Sequence, residues 1–180
     1  MVNDVLKLVL SGAERRPSPV MSRRLDALFR ALQTPTDDRD PEDIQAMIWA
    51  LWCEHHDPDA TRALSRAIDA MVAGRLVVAE GVLDRTVLRW PDFAEAWNRR
   101  ATLYYMQERD QESLGDIRTA LELEPRHFGA ICGFGQICMR RGDRTAALAA
   151  FETALRLNPY LANVRQMVEA LAEDLPRTVN

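Results

Sequence analysis

The chain has 180 residues, which suggests one domain, or one domain with an extension, large enough to bury an ordinary core. The hydrophobic fraction of 47% and the charged fraction of 28% are typical of a soluble globular protein, and three cysteines provide no disulfide framework. Residues 1–59 hold 7 basic and 11 acidic side chains, a net charge of −4, whereas residues 60–180 hold 16 of each, so the chain lacks the basic surface of a nucleic-acid binder or a membrane-surface helix.

The first 17 residues are expected to form a flexible tail. Their longest apolar run, "VLKLVL", is interrupted by Lys7. It is too short to span a membrane and poor as the core of a signal peptide. We therefore expect a cytoplasmic protein without a membrane span. A misassigned start site would leave a periplasmic or exported location open.

Residues 18–59 are predicted to form a helical hairpin. The first helix carries one apolar face, made of Leu25, Leu28, Phe29 and Leu32. Asp40 followed by Pro41 is typical of an N-cap and a first-turn proline, and the second helix continues through "PEDIQAMIWALWCEHH". We expect the hairpin to cap the N-terminal end of the helical stack that follows. The sequence leaves open whether it also covers the inner face of that stack.

A 34-residue repeat occupies residues 60–161. Pro91, Pro125 and Pro159 are separated by this step, and five further positions keep their size class with the same step. The five sets are Ala67–Ala101–Gly135, Ala70–Tyr104–Cys138, Ala79–Ser113–Ala147, Leu83–Ile117–Phe151 and Thr86–Ala120–Ala154. Such a period is typical of a solenoid built from repeated supersecondary units.

Each repeat is predicted to consist of two helices. Gly142 stands where a tight turn needs a residue that tolerates positive φ, and a proline ends each second helix. Ala101 lies between Trp97 and Tyr104 on one helical face. We interpret it as the point where the next helix crosses closely, with the two aromatic side chains filling the space on either side.

The second unit contains "WNRRATLY" and ends in "LELEPRHF", and the third contains "GFGQIC", "RRGDRTAALAAFETAL" and "LNP". In these residues and in its period the chain resembles the tetratricopeptide repeat family. The resemblance implies an all-α, right-handed superhelix of three helical hairpins, at 60–93, 94–127 and 128–161. Ser113 replaces the usual alanine and Cys138 the usual aromatic residue, and both are tolerable by size.

A capping helix is predicted over residues 162–175, followed by a tail over 176–180. The helix and the residue before it place Leu161, Val164, Val168 and Leu171 on one stripe. An open solenoid end needs such a helix, apolar inside and polar outside. The predicted total is nine helices.

The resemblance implies that the first helix of each repeat lines a concave groove. In the second and third repeats the predicted partner-binding residues are Asn98, Thr102, Tyr105, Met106, Cys132, Gln136, Met139 and Arg140. In the first repeat they are Leu64, Ile68 and Met71, unless the N-terminal hairpin buries these three as core. Methionine and tyrosine side chains on an exposed concavity suit adaptable peptide binding.

Some family members grip the terminal carboxylate of a chaperone peptide with lysines and asparagines on these faces. Leu64 and Ile68 stand there in the first repeat, so this grip is predicted to be absent. Arg99 or Arg140 could pair with an acidic group, or could be a solvated surface charge.

No metal, cofactor or catalytic site is predicted. "CEHHD", residues 53–57, offers possible ligands, but adjacent histidines on a helix would point about 100° apart. Gly133 and Gly135 lie inside a helix, where Gly135 is interpreted as a packing residue. Glu122 and Glu124 are interpreted as surface carboxylates without an acid–base role.

The sequence thus predicts a non-enzymatic protein-interaction module, an adaptor, scaffold or co-chaperone-like protein with a peptide or protein partner. One alternative is a homodimer that pairs the apolar face of residues 20–33 or the stripe of the capping helix. Another is a regulatory subunit with an unrecognised ligand site.

Overall fold

The computed structural model describes residues 1–12, 23–34 and 39–174, which form ten α-helices and no strand. In chain order the helices are α1 (Val2–Leu10), α2 (Arg23–Gln33), α3 (Pro41–Trp52), α4 (Pro58–Val72), α5 (Leu76–Arg89), α6 (Ala94–Met106), α7 (Asp110–Leu123), α8 (Phe128–Arg140), α9 (Arg144–Leu157) and α10 (Ala162–Asp174). Among these residues no helix combines the length and the apolar character that crossing a bilayer requires.

Six of the helices form three antiparallel hairpins, α4–α5, α6–α7 and α8–α9. They stack into a right-handed superhelix, with α10 packed against α9 at its C-terminal end. Helix α6 contacts both α4 and α8, so the first helices of the hairpins lie side by side on the inner face. The predicted all-α superhelix is confirmed.

The turn inside each hairpin has a residue with positive φ. These residues are Gly74 at 68°, Glu108 at 61° and Gly142 at 78°, again separated by 34 residues. The prediction for Gly142 is confirmed. The middle turn uses a glutamate in the same conformation, which is rare for a residue with a side chain.

The recurring small residues mark close helix crossings, as predicted. Ala67, Ala101 and Gly135 are all buried. A Cβ on Gly135 would lie 2.5 Å from Cε1 of Phe151, which leaves no room for even a methyl group. Ser113 suits its crossing because its hydroxyl donates to the Ala101 carbonyl at 2.8 Å.

The predicted flexible tail over residues 1–17 is wrong for its first part, because residues 2–10 form α1. This helix packs against α7 and α9 on the outer face of the second and third repeats, and it buries Val5 and Val9 completely. Val2, Val5, Leu6 and Val9 follow the i, i+3, i+4, i+7 spacing of an amphipathic helix. Residues 13–17 and the predicted tail over 176–180 lie outside the described residues.

The N-terminal hairpin α2–α3 does not cap the first repeat, contrary to expectation. It packs against the turns that follow α7 and α9. Gln33 donates through Nε2 to the carbonyl oxygens of Arg156 and Leu157, at 2.6 and 3.0 Å, and Arg126 bonds Asp26 at 2.8 Å. The hairpin lies there because its aromatic side chains belong to the core of the later repeats: Phe29 and Trp52 both pack on Phe128.

Helix α3 runs along the row of turns that join successive repeats. Near the N-terminal end of α3, the side chain of Asn158, in the turn after α9, donates to Oε1 of Gln45 at 2.6 Å. In the middle turn, the His127 ring stacks on Trp52 with centroids 4.0 Å apart. Just beyond its C-terminal end, Nε2 of His55 lies 3.3 Å from Oδ1 of Asp92. One helix therefore ties together the three junctions of the stack.

Candidate functional site

The inner face of the superhelix exposes six of the predicted partner-binding residues. Helix α6 contributes Thr102, Tyr105 and Met106, and α8 contributes Gln136, Met139 and Arg140. Met106 is 53% exposed and Met139 is 37% exposed, although methionine is ordinarily a core residue. Exposed side chains of this kind are available to a binding partner.

Contacts between helices join these residues into one surface. The Arg140 guanidinium lies 3.9 Å from the centroid of the Tyr105 ring, and its Nη1 donates to the Tyr105 carbonyl at 3.1 Å. Nε2 of Gln136 lies 3.4 Å from the sulfur of Met167 on α10. We call these seven residues the inner patch: Thr102, Tyr105, Met106, Gln136, Met139, Arg140 and Met167. Met167 was not predicted as a binding residue, because the prediction for α10 covered only the apolar stripe that faces α9.

Asn98 and Cys132 do not belong to the exposed surface, contrary to the prediction. Asn98 is 6% exposed and donates through Nδ2 to Oε2 of Glu95 at 3.0 Å. Cys132 packs against the core, and burial raises the pKa of its thiol to about 12. Both lie near the N-terminal ends of their helices, where α3 crosses: Trp49 occupies the space next to Gly129, and Arg99 lies 5.5 Å from the Trp49 ring.

The three candidates of the first repeat pack inside the stack. Leu64 is buried in the core of the first two repeats, and Ile68 and Met71 are partly buried against that same core. Their burial comes from the repeats, whereas the N-terminal hairpin packs elsewhere. The inner patch therefore belongs to the second and third repeats and to α10.

A buried polar network lies between α3, α6 and α8. Glu95 and His127 are fully buried, with Oε2 of Glu95 2.8 Å from Nε2 of His127. Because Nδ1 of His127 accepts from the Ala130 amide at 3.2 Å, Nε2 carries the proton and donates to Glu95. Arg99 donates to the other carboxylate oxygen of Glu95 at 2.5 Å.

These contacts determine the charge state of Glu95. Burial alone would raise its pKa, but the hydrogen bond from His127, the charge of Arg99 and the hydrogen bond from Asn98 outweigh burial, so the pKa lies below its usual value. Because the Glu95 carboxylate is fully buried and all its partners lie within the protein, we interpret its role as structural. No pattern in the sequence indicates that His127 joins Glu95, since the two residues are 32 positions apart and outside the repeat step.

Glu124 is not a surface carboxylate, contrary to the interpretation from sequence. It is fully buried and accepts from the backbone and side-chain nitrogens of Arg126, at 2.9 and 3.0 Å. The turn around Pro125 folds these two residues together. Glu122 is exposed and pairs with Arg118, as a surface carboxylate would.

The two adjacent histidines are not on a helix, because α3 ends at Trp52. Ligand atoms of His55, His56 and Asp92 lie within 4.8 Å of one another. Nδ1 of His55, however, accepts from the Asp57 amide at 3.1 Å, so in the neutral ring Nε2 carries the proton that faces Asp92. A metal ligand needs a lone pair at that nitrogen. The arrangement is that of a hydrogen-bonded turn before α4.

Comparisons with known proteins agree with this architecture. A family model described as tetratricopeptide repeat matches residues 64–128. A TPR repeat-containing protein of Rhizobium etli is 33% identical over 162 residues, which cover 90% of this chain and 79% of that protein. Human superkiller complex protein 3 is 33% identical over 64 residues, which cover 36% of this chain but only 4% of that protein.

Solved structures show the same fold at low sequence identity. The first TPR of Spaghetti (RPAP3), bound to the HSP90 peptide SRMEEVD, aligns with a TM-score of 0.60 at 15% identity, over 63% of this chain and 90% of that one. The Sgt2 TPR domain from Aspergillus fumigatus aligns with a TM-score of 0.60 at 15% identity, over 69% and 89%. The TPR2B domain of yeast Sti1, in a complex with pHsp70, aligns with a TM-score of 0.59 at 15% identity, over 66% and 100%.

Proposed function

Because this chain belongs to the tetratricopeptide repeat family, we propose that it is a non-enzymatic interaction module whose inner patch binds a segment of a partner protein. The observation that carries the proposal is the exposure of Met106 and Met139 beside the partly exposed Tyr105 on the inner face. Aromatic and methionine side chains dominate binding energy at many interfaces and adapt to varied partners. The module would act as an adaptor or scaffold.

Similar folds in complexes with peptides support this proposal. The aligned Spaghetti repeat is bound to an HSP90 peptide, and the aligned Sti1 domain is in a complex with pHsp70. They support peptide binding as the activity of this architecture. A co-chaperone-like role and a cytoplasmic location stay predictions for this chain.

The test removes apolar contact area from the inner patch without disturbing the fold. Tyr105→Ala with Met139→Ala leaves the pair of Arg140 with Asp110 in place, whereas charge reversal of Arg140 would break it. The matched control is Met47→Ala on α3, where the side chain is 42% exposed and outside the inner patch.

We expect the double variant to recover much less partner than the wild type in a quantitative pull-down from the native host, and the control to recover the same amount. Circular dichroism tests that all three proteins fold alike: Met139 is exposed, where substitutions usually change stability by about 0.5 kcal/mol or less, and Tyr105 packs against the core only in part. Equal recovery of the same partners by the double variant would remove the inner patch as the binding surface.

Self-association is a second candidate, but not through the surfaces predicted from sequence. The apolar face of α2 is buried against the repeats, and Val164 and Leu171 of α10 are buried in the same core. The outer face of α5 instead exposes Val77 and Leu88, at 85% and 83%. The equivalent positions one and two repeats later are polar, namely Gln111 and Thr145, and Glu122 and Arg156.

Such an apolar face on an outer helix can pair two copies of the chain. Sedimentation equilibrium over a concentration series tests this candidate. A dimer that is weakened by Val77→Ser but unaffected by Gln111→Ser would support it, and a monomer at every concentration would contradict it.

A further inference from the structure

The two arginines that border the inner patch are bound inside the chain. Arg140 pairs with Asp110, donates to the Tyr105 carbonyl and lies over the Tyr105 ring. Arg99 donates to the buried carboxylate of Glu95 at 2.5 Å and lies over the ring of Trp49. Each positive charge is therefore already neutralised by an acidic group of the protein.

An incoming carboxylate would meet, next to either guanidinium, the acidic group that already balances its charge, Asp110 beside Arg140 and Glu95 beside Arg99. Displacing Glu95 would leave its charge fully buried without its partner, which is strongly unfavourable. Asn98, the neighbouring amide, already donates to Glu95 and is itself buried. The groove thus offers an acidic tail little gain in electrostatic energy.

Apart from Arg140, whose charge is paired with Asp110, the exposed part of the inner patch is uncharged and mostly apolar. Three methionines from three successive inner helices, Met106, Met139 and Met167, expose 53%, 37% and 36% of their surface. The Thr102 hydroxyl donates to the Asn98 carbonyl at 3.0 Å, and Gln136 contacts the sulfur of Met167. Flexible thioether side chains can repack around apolar groups of differing shape.

We propose that the inner patch binds an uncharged segment of a partner through apolar side chains, and not an acidic C-terminal tail. The proposal rests on the inner patch being the binding surface. It follows from the charge balance of the site: Arg140 within it and Arg99 beside it are paired within the chain, and the other members of the inner patch are uncharged.

A selection from a random peptide library tests the chemistry of the partner. The peptides carry free C-terminal carboxylates, so that acidic tails compete on equal terms, and the bait is the full chain. A parallel selection uses Tyr105→Ala with Met139→Ala as the bait, and Met47→Ala provides the control for loss of an exposed apolar side chain elsewhere.

We expect sequences enriched on the wild type and on the control, but not on the double variant, to carry several Leu, Ile, Phe or Met residues. Amidation of the C-terminus should change their affinity by less than about threefold. A rise in salt from about 0.05 to 0.5 M should likewise leave their affinity nearly unchanged, because apolar contacts are not screened.

The possible failures are distinguishable. Enriched peptides that end in Asp or Glu, depend on the inner patch and lose at least about tenfold in affinity on amidation would overturn this proposal and leave the binding surface intact. Enriched peptides that bind the double variant equally well would overturn the proposed binding surface itself. A selection that enriches no sequence would count against both.

Discussion

Two glycines in α8, two residues apart, face different surroundings. A Cβ on Gly135 would lie 2.5, 2.8 and 2.9 Å from three ring atoms of the fully buried Phe151. A Cβ on Gly133 would meet only Cδ1 of Ile117, at an ordinary 3.6 Å. Replacing glycine by alanine should therefore affect the free energy of unfolding differently at these two positions of α8.

We expect Gly135→Ala to lower the free energy of unfolding by about 1–3 kcal/mol, because the Phe151 ring and α9 must shift to admit the methyl group. Gly133→Ala should be neutral or stabilising by up to about 1 kcal/mol, since alanine has the higher helix propensity. Urea denaturation of both variants measures the difference. A Gly135→Ala protein as stable as the wild type would show that the crossing of α8 and α9 is not close.

Glu95 makes the stability of the fold dependent on pH. Its pKa in the folded protein lies below the ordinary value of 4.5. The stabilisation from its ionised form is therefore complete above that value and is lost as the pH falls through the lower folded pKa.

Replacing Glu95 by glutamine should lower the free energy of unfolding at neutral pH by about 3 kcal/mol, because His127 and Arg99 lose a buried partner. The difference in free energy of unfolding between wild type and variant should decrease as the pH falls below about 4.5. Denaturation curves over this pH range provide the measurement. Glu122→Gln is the control: its pair with Arg118 is exposed, and its loss should cost about 0.5 kcal/mol or less.

At the scale of single elements, α1 is held to the stack by two side chains that point inward. Val5 and Val9 are fully buried against the core, whereas Lys7 between them is exposed to solvent. Burying a valine side chain contributes about 1.5–3 kcal/mol. The attachment of α1 therefore depends on a small number of residues.

Val5→Asp should lower the free energy of unfolding by at least about 2 kcal/mol, since a buried carboxylate would force α1 off α7 and α9. Lys7→Asp should change it by about 0.5 kcal/mol or less. Thermal and urea unfolding of both variants tests this. If Val5→Asp behaved like Lys7→Asp, α1 would contribute nothing to the stability of the stack.

Local patterns in the sequence predict most elements well. Asp40 does cap α3, accepting from the Glu42 amide at 2.9 Å with Pro41 in the first turn, as expected. The repeat step predicts the paired helices from α4 to α9, because each pair contacts only its neighbours. The burial of Asn98 was not predictable in this way, since the helix that covers it is some 50 residues earlier in the chain and follows no repeat.

On the scale of the whole molecule, the N-terminal helices strengthen the stack unevenly. Helices α1–α3 pack mainly against the second and third repeats, whereas the main packing partners of α4 and α5 are each other and α6. Val72, Val77 and Leu88 of these two helices are more than four-fifths exposed. The first repeat is therefore the least supported part of the described superhelix.

We expect the amides of α4 and α5 to exchange hydrogen faster than those of α8 and α9, through local opening of the first repeat. Native-state hydrogen exchange followed by mass spectrometry measures this directly. Equal protection of all three repeats would mean that the stack opens only as a whole.

The sequence could not predict the path of the N-terminal hairpin. Its bonds join residues about 100 or more positions apart, as in Asp26 with Arg126 and Gln33 with Arg156. Periodicity identifies faces of helices and the spacing of repeats, but it carries no information about which distant surface an amphipathic face will cover. The sequence therefore predicts the apolar face of α2 correctly, but it does not predict that this face packs against the second and third repeats.

The position of α3 along the three turns has a consequence for biosynthesis. A ribosome completes α1–α3 early, but the turns at residues 124–128 and 158–159 on which they pack leave the exit tunnel only about 100 residues later. At roughly 10 residues per second this delay is on the order of ten seconds. During that time the indole rings of Trp49 and Trp52 have no native surface to cover them. The N-terminal hairpin therefore completes its native packing only after the second and third repeats have been synthesised.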